Sequence, residues 1–505
     1  MLTSRKSKAK KNIVVSLGSQ VVVLLCGIIV PRAMLGAFGS EAYGATTSIA
    51  QFLSYITLLE GGIGGVARAA LYGPIASADN DMIGAIMSEI KRFFSILAWI
   101  FVFYVFCLAC GFQSLSHVTC MDWLSSFLLV LVISVSTVGQ YFIGITYSIF
   151  LLADQKSYIT NGVATITTII HTLSTVCLIS AGCSMIVVKL VSSCIFFARP
   201  VVFWLYVKKE YAFRLTKCKG KGKYLKQKWS GLGQHIAYFL HSNTDVVVLT
   251  VLADLRLVAV YSVYHMVISH IKSFALACTS GMEALFGDML ARKENAQLKQ
   301  TFRVYETMIS TVAGTLLATT AILIVPFVKI YTSGIEDANY IVPVFAFIFV
   351  LSEWIYCLRS PYHSLVIAAG HFKQTSMAAY MEAVINVILS VVLVAKFGVI
   401  GVAIGTLLAT AFRFVYYVLY LRTHIAELAV YAFVKRMLVN ILAFALSCIV
   451  GLWIISFVEI NNYAYWCLCG VVVFLTTSII TLTINYLFDK KGCSVLLKKV
   501  MSKAK

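Results

Sequence analysis

The feature that most constrains this chain is a series of uninterrupted apolar runs, mostly about twenty to thirty residues long, recurring some fourteen times between short polar breaks. At 1.5 Å per helical residue, about twenty such residues cross a hydrocarbon core of roughly 30 Å. The runs are apolar continuously and carry scattered small residues, as packed membrane helices do. A membrane barrel is excluded, because its strands alternate apolar and polar with a period of two. Hydrophobic residues make up 60% of the sequence and charged residues only 12%, about half the charged share of a soluble domain. The expected fold class is an all-α polytopic membrane protein.

The expected spans cover about 12–38, 42–70, 93–113, 122–152, 157–180, 184–207, 230–253, 258–290, 304–330, 340–369, 374–395, 399–421, 438–458 and 463–487. The basic segment Met1–Lys11 leads into a run too long for a cleaved signal, which has a short apolar core. If that segment is cytoplasmic, alternation puts Lys91, Arg92, Lys156, Arg292, Lys293, Lys299, Arg303, Lys373, Arg422, Lys435 and Arg436 on the same side. The 208–229 loop adds nine basic residues there. The opposite loops hold only Arg256 and Lys396, with Glu41, Asp122, Asp254, Glu336, Asp337 and Glu459. This is the positive-inside bias, and it implies an even span count with both termini cytoplasmic. The formal charge of +20 is therefore a topology signal, and no nucleic-acid partner is expected. The 208–229 loop is also suited to anionic lipid heads. Fourteen cysteines lie mostly inside apolar runs. They suggest no disulfide framework, and Cys107 and Cys110 read as packing residues. No metal-ligand spacing appears.

The chain repeats with a period near 216 residues. Asn12 and Ser230 open corresponding runs, Tyr43 corresponds to Tyr261, Gly182 to Gly398 and Arg199 roughly to Arg413. The expected organisation is a six-helix lobe over 1–207, a basic linker over 208–229, a second six-helix lobe over 230–421, and two appended helices with a basic tail over 422–505. Parallel repeats of this kind rock around a site between them in transporters.

A charge at mid-membrane costs about 2.5–3.5 kcal/mol on insertion scales, so it persists where it faces protein or a water-filled cavity. Glu60, Gly64 and Arg68 share one helix face and flank a joint with four glycines, Gly61, Gly62, Gly64 and Gly65. A hinge and close helix packing are both open readings of that joint, and Glu60 with Arg68 also reads as a buried pair. Tyr261, His265, Lys272, Thr279 and Glu283 follow helical steps of 4, 7, 7 and 4. Gln234, Tyr238, His241 and Asp245 form a similar stripe. Arg32 follows Pro31, and Arg359 shares a face with His363 beyond Glu353. Arg199 and Arg413 lie near helix ends, where snorkelling is the simpler account. Arg32, Lys272 and Arg68 read as a ladder of cations for an anionic cargo, with phosphate favoured because arginine forks bind it bidentately.

The stretch from Pro31-Arg32 through Gly39-Ser40-Glu41-Ala42-Tyr43-Gly44, then Gln51-Phe52-Leu53-Ser54-Tyr55-Ile56, Leu59-Glu60-Gly61-Gly62 and Arg68-Ala69-Ala70-Leu71-Tyr72 resembles the bacterial oligosaccharide and polysaccharide-biosynthesis (Wzx-like) flippases. These belong to the multidrug/oligosaccharidyl-lipid/polysaccharide exporter superfamily. The first ninety or so residues carry the likeness most specifically. The resemblance implies a V of two six-helix lobes with helices 1, 2, 7 and 8 lining a cationic cleft. It implies a bacterial inner-membrane flippase that moves polyprenyl-pyrophosphate-linked oligosaccharide outward for surface polysaccharide synthesis. Membrane lipids, a polysaccharide polymerase and glycosyltransferases are then expected partners. On this reading Arg32, Arg68, Lys272 and Arg359 contact substrate, and Glu60, Asp245 and Glu283 are candidates for a coupling proton or sodium ion. No other cofactor and no catalytic residue are expected. A multidrug antiporter of the same superfamily is the competing reading, although such a site would favour acidic over basic groups. A membrane enzyme would need a larger extramembrane loop than the roughly twenty residues available here.

Overall fold

A computed structural model describes residues 2–60, 63–211, 232–277, 279, 281–425 and 430–490. Those residues form an all-α polytopic membrane protein, with eleven helices long and apolar enough to cross a bilayer. The helices are α1 (Leu2–Ser54), α2 (Thr57–Glu60), α3 (Ile63–Ser77), α4 (Asn80–Ser116), α5 (Trp123–Gly139), α6 (Ile145–Ala153), α7 (Ser157–Ser180), α8 (Met185–Glu210) and α9 (Leu232–Leu252). They continue as α10 (Leu255–Ala277), α11 (Met282–Ala291), α12 (Asn295–Tyr331), α13 (Pro343–Ala368), α14 (Phe372–Phe397), α15 (Val399–His424), α16 (Val430–Ile455) and α17 (Tyr463–Phe488). The chain divides into two compact units, Met1–Phe239 with Asp254–Ala259, and Leu240–Ala253 with Val260–Lys505.

In the first unit, α1 runs through Pro31 and breaks at Gly39, whose φ of 80° lies where side-chain-bearing residues rarely go. This break separates the first two expected spans. The glycine joint at Gly61 and Gly62 lies outside the described residues, as does most of the basic 208–229 loop. The expected loop over 71–92 is instead helical. Asp79 caps α4 by accepting the Met82 N–H at 2.9 Å, and the start of this helix is amphipathic: Ile83, Ile86, Met87 and Ile90 are buried while Lys91 and Arg92 are exposed. The expected single span over 122–152 contains a π-helical turn at Gln140–Gly144.

Polar contacts fasten both ends of this unit. At one end Glu41 accepts from the Thr119 N–H (2.5 Å), the Thr119 hydroxyl (2.9 Å) and the Cys120 N–H (2.9 Å), and Arg256 lies 3.8 Å away. Glu41 and Arg256, both expected in loops on the same membrane face, thus meet. At the other end the Asn12 amide donates to the Gln155 carbonyl (2.9 Å) and accepts from the Tyr158 N–H (2.8 Å). There Lys156 lies 3.6 Å from Asp154 and 3.9 Å from Glu210. Tyr211 donates to Asp154, and burial followed by this carboxylate contact raises the pKa of its hydroxyl.

In the second unit, the expected span over 258–290 is two helices. Gly281, at φ 88°, separates α10 from α11, so Glu283 does not continue the face of Tyr261 and Lys272 on one straight helix. The two appended helices, α16 and α17, belong to this unit and pack on α12. A threonine seam joins α12 to α17: Thr315 with Thr481 at 2.7 Å and Thr319 with Thr477 at 2.8 Å. The Asn440 amide on α16 donates to Ser310 on α12 at 3.2 Å. Small hydroxyl side chains let helices approach closely where lipid supplies no hydrophobic drive for association. Beside the seam, Ile322, Leu323, Cys469 and Val473 form a buried cluster.

Gly44 tests the packing of the first unit directly. A methyl group there would lie 1.9 Å from the Leu255 carbonyl oxygen, a backbone atom. Gly44→Ala is expected to destabilise the unit by about 1–3 kcal/mol, the usual scale of overpacking. Thermal unfolding of the detergent-purified chain should show a lowered midpoint for Gly44→Ala and none for Gly73→Ala, which has open space around it.

Candidate functional site

The first unit encloses a cavity of about 680 Å³. Glu60 reaches it from the end of α2, Gln140 and Tyr141 from the π-helical turn, His171 from α7 and Lys189 from α8. A π turn holds one more residue than an α turn, and such turns are frequent at functional sites. Here it brings Gln140 and Tyr141 to the cavity side by side. The Tyr141 hydroxyl donates to Glu60. Among the described residues no ion pair joins Glu60 to Arg68, whose Nε donates to its own helix at the Gly64 carbonyl, 3.2 Å away. Lys189 is half-buried, and no described carboxylate lies within ion-pair distance of it. Arg32, also half-buried, sits on α1 before the Gly39 break, with Gly36 leaving space one turn on. Arg199 does not snorkel. Its guanidinium donates to Thr167 (2.6 Å), Thr168 (2.9 Å) and the Ala164 carbonyl (3.1 Å), and stacks on Phe196.

In the second unit, the polar residues expected from the sequence fall into three groups. Lys272 on α10 donates to Glu353 on α13 at 3.0 Å and lies 4.9 Å from the Tyr356 ring centre. Arg359, one turn beyond Tyr356, lies 4.5 Å from that same ring centre. Its guanidinium pairs with Glu382 on α14, and Arg413 on α15 pairs with the second oxygen of that carboxylate. Glu382 is fully buried and both arginines are about 5% exposed. Arg413 is therefore a core residue, not a snorkelling one, and Tyr417 fixes it further by accepting from its Nη2 at 2.8 Å.

The third group is built of oxygens. Asp245 on α9 is buried and accepts from the Tyr261 hydroxyl at 3.0 Å and from the Thr406 hydroxyl at 3.2 Å. The Asn386 amide donates to Thr406 at 2.8 Å, while its own oxygen is buried without a hydrogen-bond partner. A carboxylate, a hydroxyl and an amide with an unsatisfied oxygen thus lie in one cluster, oxygen groups of the kind that ligate hard cations. His265 packs against Tyr261 and Phe349, which also stack on each other at 5.4 Å. Glu283 is exposed on α11. The side chains of Gln234, Tyr238 and His241 lie outside the described residues.

Sequence reasoning singled out Asp245, Lys272, Glu353 and Arg359 but not their partners Glu382, Asn386 and Thr406, nor the cavity residues Tyr141, His171 and Lys189. An intramembrane carboxylate at Glu382 was a readable signal under the cost of burying charge. His171 and Lys189 sit singly in apolar runs, and Tyr141 meets Glu60 only through packing of distant segments.

No protein-family model matches the chain, and no curated protein matches it in sequence. Among solved structures, the chain shares its fold with the lipid II flippase MurJ in an inward closed conformation, at TM-score 0.69 and 14% identity, covering 94% of this chain and 98% of that one. It also shares it with an inward-facing multidrug resistance MATE family transporter of the MOP superfamily, at TM-score 0.57 and 15% identity over 81% of this chain and 98% of that one. The Vibrio cholerae MATE transporter VcmN matches at TM-score 0.53 and 16% identity, over 84% and 99%.

The Arg359–Glu382–Arg413 group yields a stability prediction. Glu382→Gln leaves two buried guanidinium groups facing each other, a change expected to cost about 3–5 kcal/mol. The unfolding midpoint should fall well below that of Glu459→Gln, which removes an exposed carboxylate; equal midpoints would contradict the buried triad.

Proposed function

We propose that the chain is a membrane transporter that flips a polyprenyl-pyrophosphate-linked oligosaccharide from the cytoplasmic to the outer leaflet. The observation that carries this reading is a fold shared over 94% of the chain with a lipid II flippase, whereas the MATE match leaves about a fifth of it uncovered. Basic groups on the helices add chemical support. Arg32, Arg68, Lys189 and Lys272 are all half-buried within apolar helices, and an anionic head group gains strong charge-assisted bonds from such cations. Arg359 is committed to Glu382, so in this proposal it positions α13 and takes no direct part in cargo binding. Lys272, held by Glu353 and resting on Tyr356, is the cation we assign to the pyrophosphate.

Transport in this reading proceeds by alternating exposure of the site to the two membrane faces. The oxygen cluster at Asp245 holds the coupling cation, a sodium ion or a proton. Its buried, partnerless Asn386 oxygen fits a cation better than it fits a closed hydrogen-bond network. Glu60, bonded to Tyr141 beside the cavity of the first unit, is the second candidate for proton coupling. Surface polysaccharide synthesis, a bacterial inner-membrane location with both termini cytoplasmic, and cooperation with a polymerase and glycosyltransferases complete the proposal. The second reading, a cation-coupled multidrug antiporter, is favoured by the likeness to MATE folds and by Glu60 at a cavity wall.

Proteoliposomes separate the two. The purified chain should flip a pyrophosphate-linked polyprenyl oligosaccharide, and Lys272→Ala should slow flipping about tenfold or more, the scale of a lost charge-assisted hydrogen bond. Transport of cationic dyes without lipid flipping would move the assignment to the antiporter. Asp245→Asn is expected to retain cargo binding while losing the response to an imposed sodium or proton gradient, read as flipping rate with and without the gradient.

A further inference from the structure

At one end of the second unit, α12, α13, α16 and α17 enclose another cavity, of about 420 Å³. Its floor is a satisfied ionic network. Asp489, just past α17, accepts from Arg303 (2.6 Å), Arg436 (2.6 Å) and the Thr307 hydroxyl (2.8 Å). Glu306 accepts from the Tyr362 hydroxyl and lies 3.7 Å from Arg436. The lining nonetheless carries four basic side chains against these two carboxylates. The surplus sits at Lys299 and Lys435, both exposed at the rim. Neither has a carboxylate within ion-pair distance among the described residues. The walls between rim and floor are aromatic, with Phe302, Phe433 and Phe488 facing the cavity.

Depth along the helices says where this cavity meets the bilayer. α12 has 37 residues and is about 55 Å long at 1.5 Å per residue, well beyond a hydrocarbon core of roughly 30 Å. The cavity lies along its first three turns, at the start of α16 and at the end of α17. That is head-group level, where basic pockets between membrane helices bind lipid phosphates. The site is chemically distinct from the groups assigned to cargo and ion coupling, and it does not depend on that assignment.

We propose that this cavity binds the phosphodiester head of an anionic phospholipid. Lys299 and Lys435 hold the phosphate, Arg303 and Arg436 complete the positive field from the floor, and the aromatic walls take the glycerol and first methylene groups. A bound lipid then ties the appended helices to α12 at the membrane surface.

The test uses the full chain purified in an uncharged detergent, with its thermal midpoint and retained lipid (by native mass spectrometry) as readouts. Phosphatidylglycerol is expected to raise the midpoint and remain bound one per chain at this site, while phosphatidylcholine does neither. Lys299→Ala/Lys435→Ala should keep the lipid-free midpoint and lose the phosphatidylglycerol shift, and Lys299→Arg/Lys435→Arg should retain it. Equal shifts from the two lipids, or a full shift in the alanine variant, would overturn the proposal. Inorganic phosphate reproducing the shift would overturn the lipid assignment in favour of a soluble anion.

Discussion

A bilayer offers no water to groups in its core, so every buried carboxylate and guanidinium must find its partner within the protein. Glu382 shows how far this constraint reaches. One carboxylate on α14 binds arginines from α13 and α15 at once, and this adds a fixed register to the apolar packing of three helices. Tyr356 extends the group to Lys272 and so to Glu353, making α10 part of the same chain of contacts. Packing around it follows from that register, including the buried Cys357 between Tyr356 and Arg359.

The same constraint separates two kinds of buried polarity. Glu382 and its arginines are sealed, with every charge answered, which suits a structural role. The cavity of the first unit is different: it is lined by Glu60, Lys189 and His171, and Lys189 has no described carboxylate beside it. Asp245 stands between these cases, sealed from solvent but accompanied by an amide oxygen with nothing to accept from. Incomplete satisfaction beside an ionisable group is one mark of ligand chemistry, and the first-unit cavity and the Asp245 cluster both carry it.

Much of the fold was legible because lipid imposes a length on each apolar run. The break at Gly39 and the closely matching ends near Ser180, Met185, Val399 and Tyr463 follow from that length together with turn residues. Helices outside the hydrocarbon were not legible in the same way. The start of α4 and that of α12 are amphipathic extensions whose charged residues resemble loop composition. The polar stripe from Tyr261 to Glu283 had the right spacing, yet Gly281 broke the helix that would have carried it. The π turn at Gln140–Gly144 leaves no trace in hydropathy, so Tyr141 could not be matched to Glu60. Asp245, Lys272 and Arg359 stood out as isolated charges in apolar runs, whereas their partners became visible only through contacts between helices distant in sequence.

Intramembrane polar groups here divide into a sealed set and a water-reached set, and labelling with a water-soluble charged maleimide tests that division. One variant keeps Cys357 as its only cysteine, beside the sealed triad. The other lacks all native cysteines and carries Lys189→Cys at the cavity wall. Lys189→Cys is expected to be labelled in the folded, membrane-embedded protein, and Cys357 only after denaturation. Rapid labelling of Cys357 in the folded protein, or protection of Lys189→Cys, would contradict it.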